Sequence, residues 1–216
     1  MVHAGVYYEP GSLKAEFCRQ GVEDTRQFCH SHGIPYRTTG KLLVAADENE
    51  ISRMHDLFSR CRENGLEPAL LSAEELRERE PAVRGAGAFL VKESGITDYP
   101  AICRALLEEF QARGGAVRFG LSVSSIEEQA DHVTVKAGDQ AFRAKQLTAC
   151  GGLQADRLAR LQGLNIRFRI LPFRGEYYVL RPALNNLVKH LIYPIPDPAL
   201  PFLGVHLTPT VDGAIK

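Results

Sequence analysis

The sequence predicts a mixed α/β chain of the α+β kind, and three stretches carry that expectation. In the first, Pro100 stands where a helix's first turn tolerates proline. Ile102, Leu106 and Phe110 follow at helical spacing, and Gly114-Gly115 stops the run. In the second, short strand patterns over Val117–Phe119, Ser122–Glu128, His132–Val135 and Phe142–Ala144 lead to Leu147-Thr148-Ala149-Cys150. That last run reads as a buried parallel-type strand ending at Gly151-Gly152. In the third, Ile166, Phe168 and Ile170 alternate with Arg167 and Arg169, as on a half-buried strand. Pro172 and Gly175 then mark a turn, and Glu176–Arg181 reads as the start of another strand.

The remaining elements follow from local signals. Ser12 is placed to cap a helix that carries Leu13, Phe17, Cys18, Phe28 and Cys29, with Gly21 able to break or dent it. Gly33–Tyr36 is a turn, and Leu42–Ala45 a short strand entered from Gly40. Asn49 is expected to cap a helix whose apolar face is Ile51, Met54, Phe58 and Cys61 and which ends at Gly65. Ser72 and Glu75 have capping-box spacing for a short helix that stops before Pro81. Ala82–Phe89 is glycine-rich and reads as irregular. The helix Leu153–Leu161 follows the glycine pair and ends at Gly163.

Composition narrows the function classes. The 216 residues are 44% apolar and 24% charged, with formal net charge zero. No basic excess points to nucleic acid, and no apolar run is long enough to span a bilayer. The five cysteines are widely spaced with no CxxC pair, which suits reduced thiols better than bridges or zinc. His30 and His32 are two apart, so a helix does not bring them to one face, and no metal site is expected.

Several residues are candidates for chemistry, each with a plainer reading beside it. Arg174 sits in Pro172-Phe173-Arg174-Gly175-Glu176-Tyr177-Tyr178, and a guanidinium fork grips a carboxylate with two bonds. Tyr177 adds a hydroxyl and a ring, and Tyr178 faces away by strand alternation. The plainer reading is a structural salt bridge beside core aromatics. His206 alternates with apolar Leu203, Val205 and Leu207, so His206 and Thr208 share a face. A histidine is suited to accept a hydroxyl proton near neutral pH; a surface histidine is the alternative. His3, Ala4 and Gly5 form a small-residue loop beside Tyr7 and Tyr8. Gly151 and Gly152 end a predicted strand, where backbone can approach a phosphate, or simply make a tight turn.

Taken together, these stretches resemble a known family. Val2–Tyr8 with Pro10–Ala15, Leu76–Pro81, Pro172–Tyr178, His190–Pro194 with Pro196-Asp197-Pro198, and Pro201–Thr208 look like bacterial L-2-hydroxyglutarate dehydrogenases. These belong to the D-amino-acid-oxidase-like flavoproteins, and the likeness keeps its order almost end to end. Pro209 departs from the pattern, since the family often has arginine there.

The resemblance implies a partial FAD-binding Rossmann-like domain interleaved with a mostly antiparallel β substrate domain. Residues 1–41 and 95–164 would be FAD-domain portions, and 42–94 and 165–216 substrate-domain portions. It implies FAD as cofactor, held by His3, Ala4, Gly5, Val123, Gly151 and Gly152. It assigns His206, Arg174, Tyr177 and His3 to the oxidation of a small 2-hydroxy dicarboxylate, with hydride passing to flavin N5 and electrons to a membrane quinone. A cytoplasmic location goes with it, peripheral at the inner membrane where the quinone is the acceptor. The dinucleotide fingerprint of the family and its C-terminal segment find no match, so an internal fragment, inactive alone and poor in flavin, is expected. The competing readings are an amino-acid or glycine oxidase on the same scaffold and a remnant that binds no cofactor.

Overall fold

Residues 1–199 and 204–216 are described by a computed structural model. Part of the Pro201–Thr208 motif, including the expected strand residue Leu203, lies outside them. The chain divides into two units, Met1–Glu109 with Tyr177–Lys216, and Phe110–Glu176.

The first unit is built on a strand with two apolar faces. Strand β2 (Lys41–Ala45) is buried at every position. Successive side chains point to opposite sides of a sheet, so Leu43 and Ala45 join one core cluster while Leu42 and Val44 join another. Strand β2 pairs antiparallel with β4 (Gly87–Val91) and parallel with β9 (Leu191–Pro194), and β3 (Ala69–Ser72) adds to β4. The order is β3-β4-β2-β9. On one face Met54, Leu57 and Cys61 of helix α2 (Ile51–Glu63) pack against Leu43, Phe89, Val91 and Tyr193. On the other, Leu76 of helix α3 (Ala73–Arg79) joins Val44, Ala88, Val188, Ile192 and Ile215. Helix α1 (Leu13–Ser31) leads into β1 (Tyr36–Thr38), which pairs antiparallel with β5 (Gly95–Thr97) ahead of helix α4 (Tyr99–Ala112).

The second unit holds an antiparallel meander, β6 (Val123–Glu128), β7 (Val133–Ala137) and β8 (Gln140–Ala144), and helix α5 (Ala155–Leu161). Asp156, at the start of α5, is buried and accepts bonds from Arg160 and from the Ile170 amide, tying the helix to the segment after it.

Local signals held where the partners are local. Ser12 accepts from the Ala15 amide, and Ser72 and Glu75 form both halves of a capping box. Gly21 leaves α1 unbroken. Ahead of α2, Asp47 caps a 3-10 turn over Glu48–Glu50 by accepting from the Asn49 amide, and α2 itself starts after Glu50 with no side-chain cap, so Asn49 does not cap it. The glycine-rich stretch becomes ordered at Gly87, where β4 sits between two strands and both its faces are buried.

Four expected strands do not form. Val117–Phe119, Leu147–Cys150, Ile166–Ile170 and Glu176–Arg181 have no ladder, and Leu147 is exposed. A strand is held by a repeated ladder of hydrogen bonds to a neighbour, and among the described residues these runs have no such ladder; Glu176–Arg181 meets another segment only where the Leu180 amide donates to the Ile215 carbonyl. The apolar face of α4 and the first turns of that of α1 behave likewise, while Cys29 near the end of α1 is buried. Leu13, Phe17, Leu106 and Phe110 are exposed, and no α4 residue is buried. Among the described residues no helix is long and apolar enough to cross a membrane.

Candidate active site

The loop that precedes α1 and the end of β9 bring several rings around one lysine. Lys41 opens β2 with 1% of its surface exposed. Its Nζ lies 3.1 Å from His3 Nδ1, 4.3 Å from the centroid of the Tyr193 ring and 5.1 Å from that of Tyr7. Burial pushes the Lys41 ammonium down to about 8, against the thiols of Cys18 and Cys61, which favour the charge. His3 is lowered to about 4, first by burial and then by the nearby charges of Lys41, the N-terminal ammonium and His206. Burial is the first cause of both shifts, but only the lysine is fully enclosed; His3 keeps an exposed side while its ring sits against Lys41.

The His3 loop is fixed by its backbone. Val2 exchanges backbone bonds with Gly95 of β5, and Ala4 and Val6 are buried. Gly5 has φ +88°, where a side chain is strained, and an added Cβ would lie 3.4 Å from that of Cys18. Cys18 donates to the His3 carbonyl, and the Asn64 side chain donates to the carbonyls of Gly5 and Tyr8. The Tyr7 hydroxyl is buried without a hydrogen-bond partner among the described residues, and burial raises its pKa.

Tyr193 links the loop to the C-terminal segment. It lies on β9, in register with Leu43 of β2, and the His206 ring stacks on it at 4.4 Å. His3 meets Tyr193 edge-on at 6.4 Å, and Tyr177 meets His206 edge-on at 6.2 Å. The Tyr193 hydroxyl donates to Met1 Sδ, and burial pushes it up to about 12. The segment carrying His206 is anchored next door, where Leu207 and Ile192 exchange backbone bonds. His206 Nδ1 is 3.2 Å from the Gly204 carbonyl. A carbonyl only accepts, so Nδ1 carries the proton of the neutral ring and Nε2 keeps a free lone pair. Beside the rings, a cavity of about 430 Å³ is lined by Met1, Tyr99, Tyr177, Thr208, Thr210 and Lys216.

Of the residues read from the sequence, His3, Tyr177 and His206 therefore meet around Tyr193, with Ala4 and Gly5 shaping the loop. Tyr178 points away and is 89% exposed. The expected strand face shared by His206 and Thr208 is not a ladder; only Leu207 and Pro209 form isolated bridges there. Arg174, Val123, Gly151 and Gly152 belong to the second unit. There Arg174 is exposed and pairs with Glu176 at 3.4 Å. An added Cβ on Gly151 would come within 2.4 Å of Leu158 Cδ1, so the glycine makes room for α5. Gly152 takes φ +52° with open space around it. Val123 is half-buried at the start of β6.

Sequence reasoning missed Lys41, and it named Tyr7 and Tyr193 only as parts of their stretches, with no role in the site. A signal for Lys41 was present: alternation puts it on the same face of β2 as Leu43 and Ala45, where a lysine has no ordinary place.

Comparison with known proteins places the chain in a family. The chain is 49% identical over its whole length to an L-2-hydroxyglutarate dehydrogenase of Escherichia coli, and covers 51% of that protein. It is 40% identical to a mitochondrial L-2-hydroxyglutarate dehydrogenase of Caenorhabditis elegans, again across all of this chain and 51% of the relative. It thus spans about half the length of the curated relatives it matches. Among solved structures, L-α-glycerophosphate oxidase from Mycoplasma pneumoniae with FAD bound matches with a TM-score of 0.82. That match has 21% identity over 99% of this chain and 58% of the other. Glycine oxidase from Geobacillus kaustophilus matches at 0.81 with 16% identity, over 99% and 57%. At such identities these two share the fold, a mixed α/β scaffold. The family model described as FAD-dependent oxidoreductase matches residues 1–216, and the chain belongs to that family.

Proposed function

We propose that this chain serves the FAD-dependent oxidation of L-2-hydroxyglutarate to 2-oxoglutarate. The observation that carries the reading is His206. Its ring is stacked on Tyr193, its Nδ1 is committed to the Gly204 carbonyl, and its Nε2 is left as an acceptor. An alcohol can lose hydride from carbon only as its hydroxyl proton leaves, and a held imidazole is suited to take that proton. The identity of 49% to an L-2-hydroxyglutarate dehydrogenase supports the substrate class.

The residues present fit a flavin. Ala4 and Gly5 of the His3 loop are small and buried, and the Tyr7 hydroxyl beside it lacks a hydrogen-bond partner among the described residues. On this reading His3, Ala4 and Gly5 would lie against the flavin ring, with Val123, Gly151 and Gly152 toward the adenosine and pyrophosphate. When bound, FAD supplies the hydride acceptor. The chain's own residues then act on the substrate: His206 holds the hydroxyl proton at Nε2, Tyr177 bounds the site with its ring, and Arg174 grips a carboxylate through its guanidinium fork. A membrane quinone as electron acceptor, and a cytoplasmic location peripheral to the membrane that holds it, belong to the same proposal and rest on the family resemblance.

The test begins with FAD titration followed by flavin fluorescence quenching. The flavin-loaded protein is then mixed anaerobically with L-2-hydroxyglutarate, L-glutamate or glycine. Bleaching of the flavin by the hydroxy acid alone supports the proposal. Bleaching by the amino acids instead would assign the site to amine oxidation, and absence of any flavin uptake would overturn the cofactor assignment for this chain.

A further inference from the structure

Lys41 is a buried ammonium with an incomplete set of partners. It is 1% exposed, and no acidic group among the described residues offsets its charge. An apolar side chain would pack on the Tyr193 and Tyr7 rings without the desolvation that a buried charge suffers. The lysine therefore needs an explanation, and its hydrogen bond to His3 supplies it. An ammonium has three donors and no acceptor. In the 3.1 Å contact with His3 the lysine must donate, so His3 Nδ1 holds a lone pair. A neutral imidazole that accepts at Nδ1 carries its proton on Nε2.

We propose that Lys41 is a positioning residue that locks His3 as the neutral Nε2–H tautomer, so that His3 meets a ligand as a hydrogen-bond donor and never as the base. His206 has the opposite setting, with Nδ1 donating to the Gly204 carbonyl and Nε2 accepting. Both rings contact Tyr193, His3 edge-on at 6.4 Å and His206 stacked at 4.4 Å. The site thus offers one imidazole donor and one imidazole acceptor around a single tyrosine. A ligand with an electron-rich oxygen next to a hydroxyl matches that pair, as a 2-hydroxy carboxylate does.

The groups facing Lys41 and His3 have separable effects. Tyr7 and Tyr193 present ring faces to the ammonium, and Cys18 and Cys61 lie near enough to favour its charge. The thiol of Cys61 is itself pushed up to about 12 by burial, so it stays neutral and supplies no counter-charge at neutral pH. Cys18 is also raised by burial. The N-terminal ammonium and His206 act on His3 in the same direction as Lys41, against protonation.

Only the identity of the ligand rests on the proposed hydroxy-acid oxidation. The lock on His3 is testable with neither flavin nor substrate, so the two readings fail separately. The measurement is long-range nitrogen–proton NMR of the imidazoles in the full 216-residue chain, with His3 assigned by His3→Gln. Spectra are taken from about pH 4 to about pH 9, a range that brackets the ordinary histidine pKa of ~6.5. The wild type is expected to show His3 protonated at Nε2 and bare at Nδ1 across neutral pH, with its ring charging only toward about pH 4. Lys41→Met should mix the two tautomers and move the titration upward, because burial then acts without the lysine. Lys41→Arg, which keeps a donor and a charge, should restore the wild-type pattern. A wild-type His3 protonated at Nδ1, or titrating at the ordinary value, overturns the proposal. So does Lys41→Met with an unchanged pattern. The wild-type spectrum alone decides the tautomer should Lys41→Met fail to fold.

Discussion

Replacing Glu80 by glutamine should loosen the strand that carries Tyr193. Glu80 follows α3, is 1% exposed, and accepts from the amides of Lys189 and His190 and from His190 Nδ1. These contacts pin the start of β9. Burial by itself pushes the Glu80 carboxyl up, and the bonds from the His190 ring, the His190 amide and the Lys189 amide outweigh it and leave it lowered. Hydrogen bonds to a charged acceptor are worth roughly 1.5–3 kcal/mol and neutral ones roughly 0.5–1.5. Downgrading three of them in Glu80→Gln should therefore cost about 3 kcal/mol. For a chain of this size that is a melting shift of about 6–12 °C. The carboxyl is lowered in the folded state, so its contribution is fully present above the ordinary carboxylate range. It is lost as pH falls through the folded value. Glu80→Gln should remove that part of the acid dependence. Urea unfolding at neutral and acid pH, with hydrogen exchange of the Leu191 and Tyr193 amides, measures both effects. A loss under about 0.5 kcal/mol with unchanged exchange in β9 would refute the latch.

Other perturbations test separate links. Leu43→Ala, on the fully buried middle of β2, should cost about 2–5 kcal/mol in urea unfolding. Ser72→Ala removes one half of the capping box at α3 and should cost about 1 kcal/mol by the same assay, without affecting the Lys41 site. Lys41 is depressed to about 8, so between that value and the ordinary ~10.4 the unfolded chain binds more protons and stability should rise with pH relative to Lys41→Met. Equal slopes in the two proteins would contradict the buried-cation description. Arg174→Lys keeps the charge but loses the fork. In the flavin-loaded protein it should raise the KM for L-2-hydroxyglutarate and lower kcat/KM about tens- to thousands-fold. A lower melting point with normal flavin reduction would make Arg174 a structural ion pair.

What was legible in the sequence depended on where the partners lie. Ser72 and Glu75 are three residues apart, and their capping box formed as read. The β6–β8 meander is joined by short turns, and its three strands also formed. Leu147–Cys150 has the composition of a buried strand, but composition does not supply a ladder, and the run stays unpaired among the described residues. The resemblance carried the family and brought His3, Tyr177 and His206 into view. It did not point to Lys41, whose meaning comes from contacts with Tyr193 and with His3, 38 residues away. Such a contact is set by the parallel register of β2 and β9, and a local pattern cannot show it.

The central claim is that His206 takes the substrate's hydroxyl proton. Anaerobic stopped-flow reduction of the flavin-loaded protein by L-2-hydroxyglutarate, across pH, tests it most directly when His206→Gln is compared with the wild type. A general base is worth roughly 10²–10⁴-fold. The variant should keep its flavin and its melting temperature and slow reduction by at least about a hundredfold. Reduction at the wild-type rate with the same pH profile in a folded, flavin-loaded His206→Gln protein would contradict the assignment.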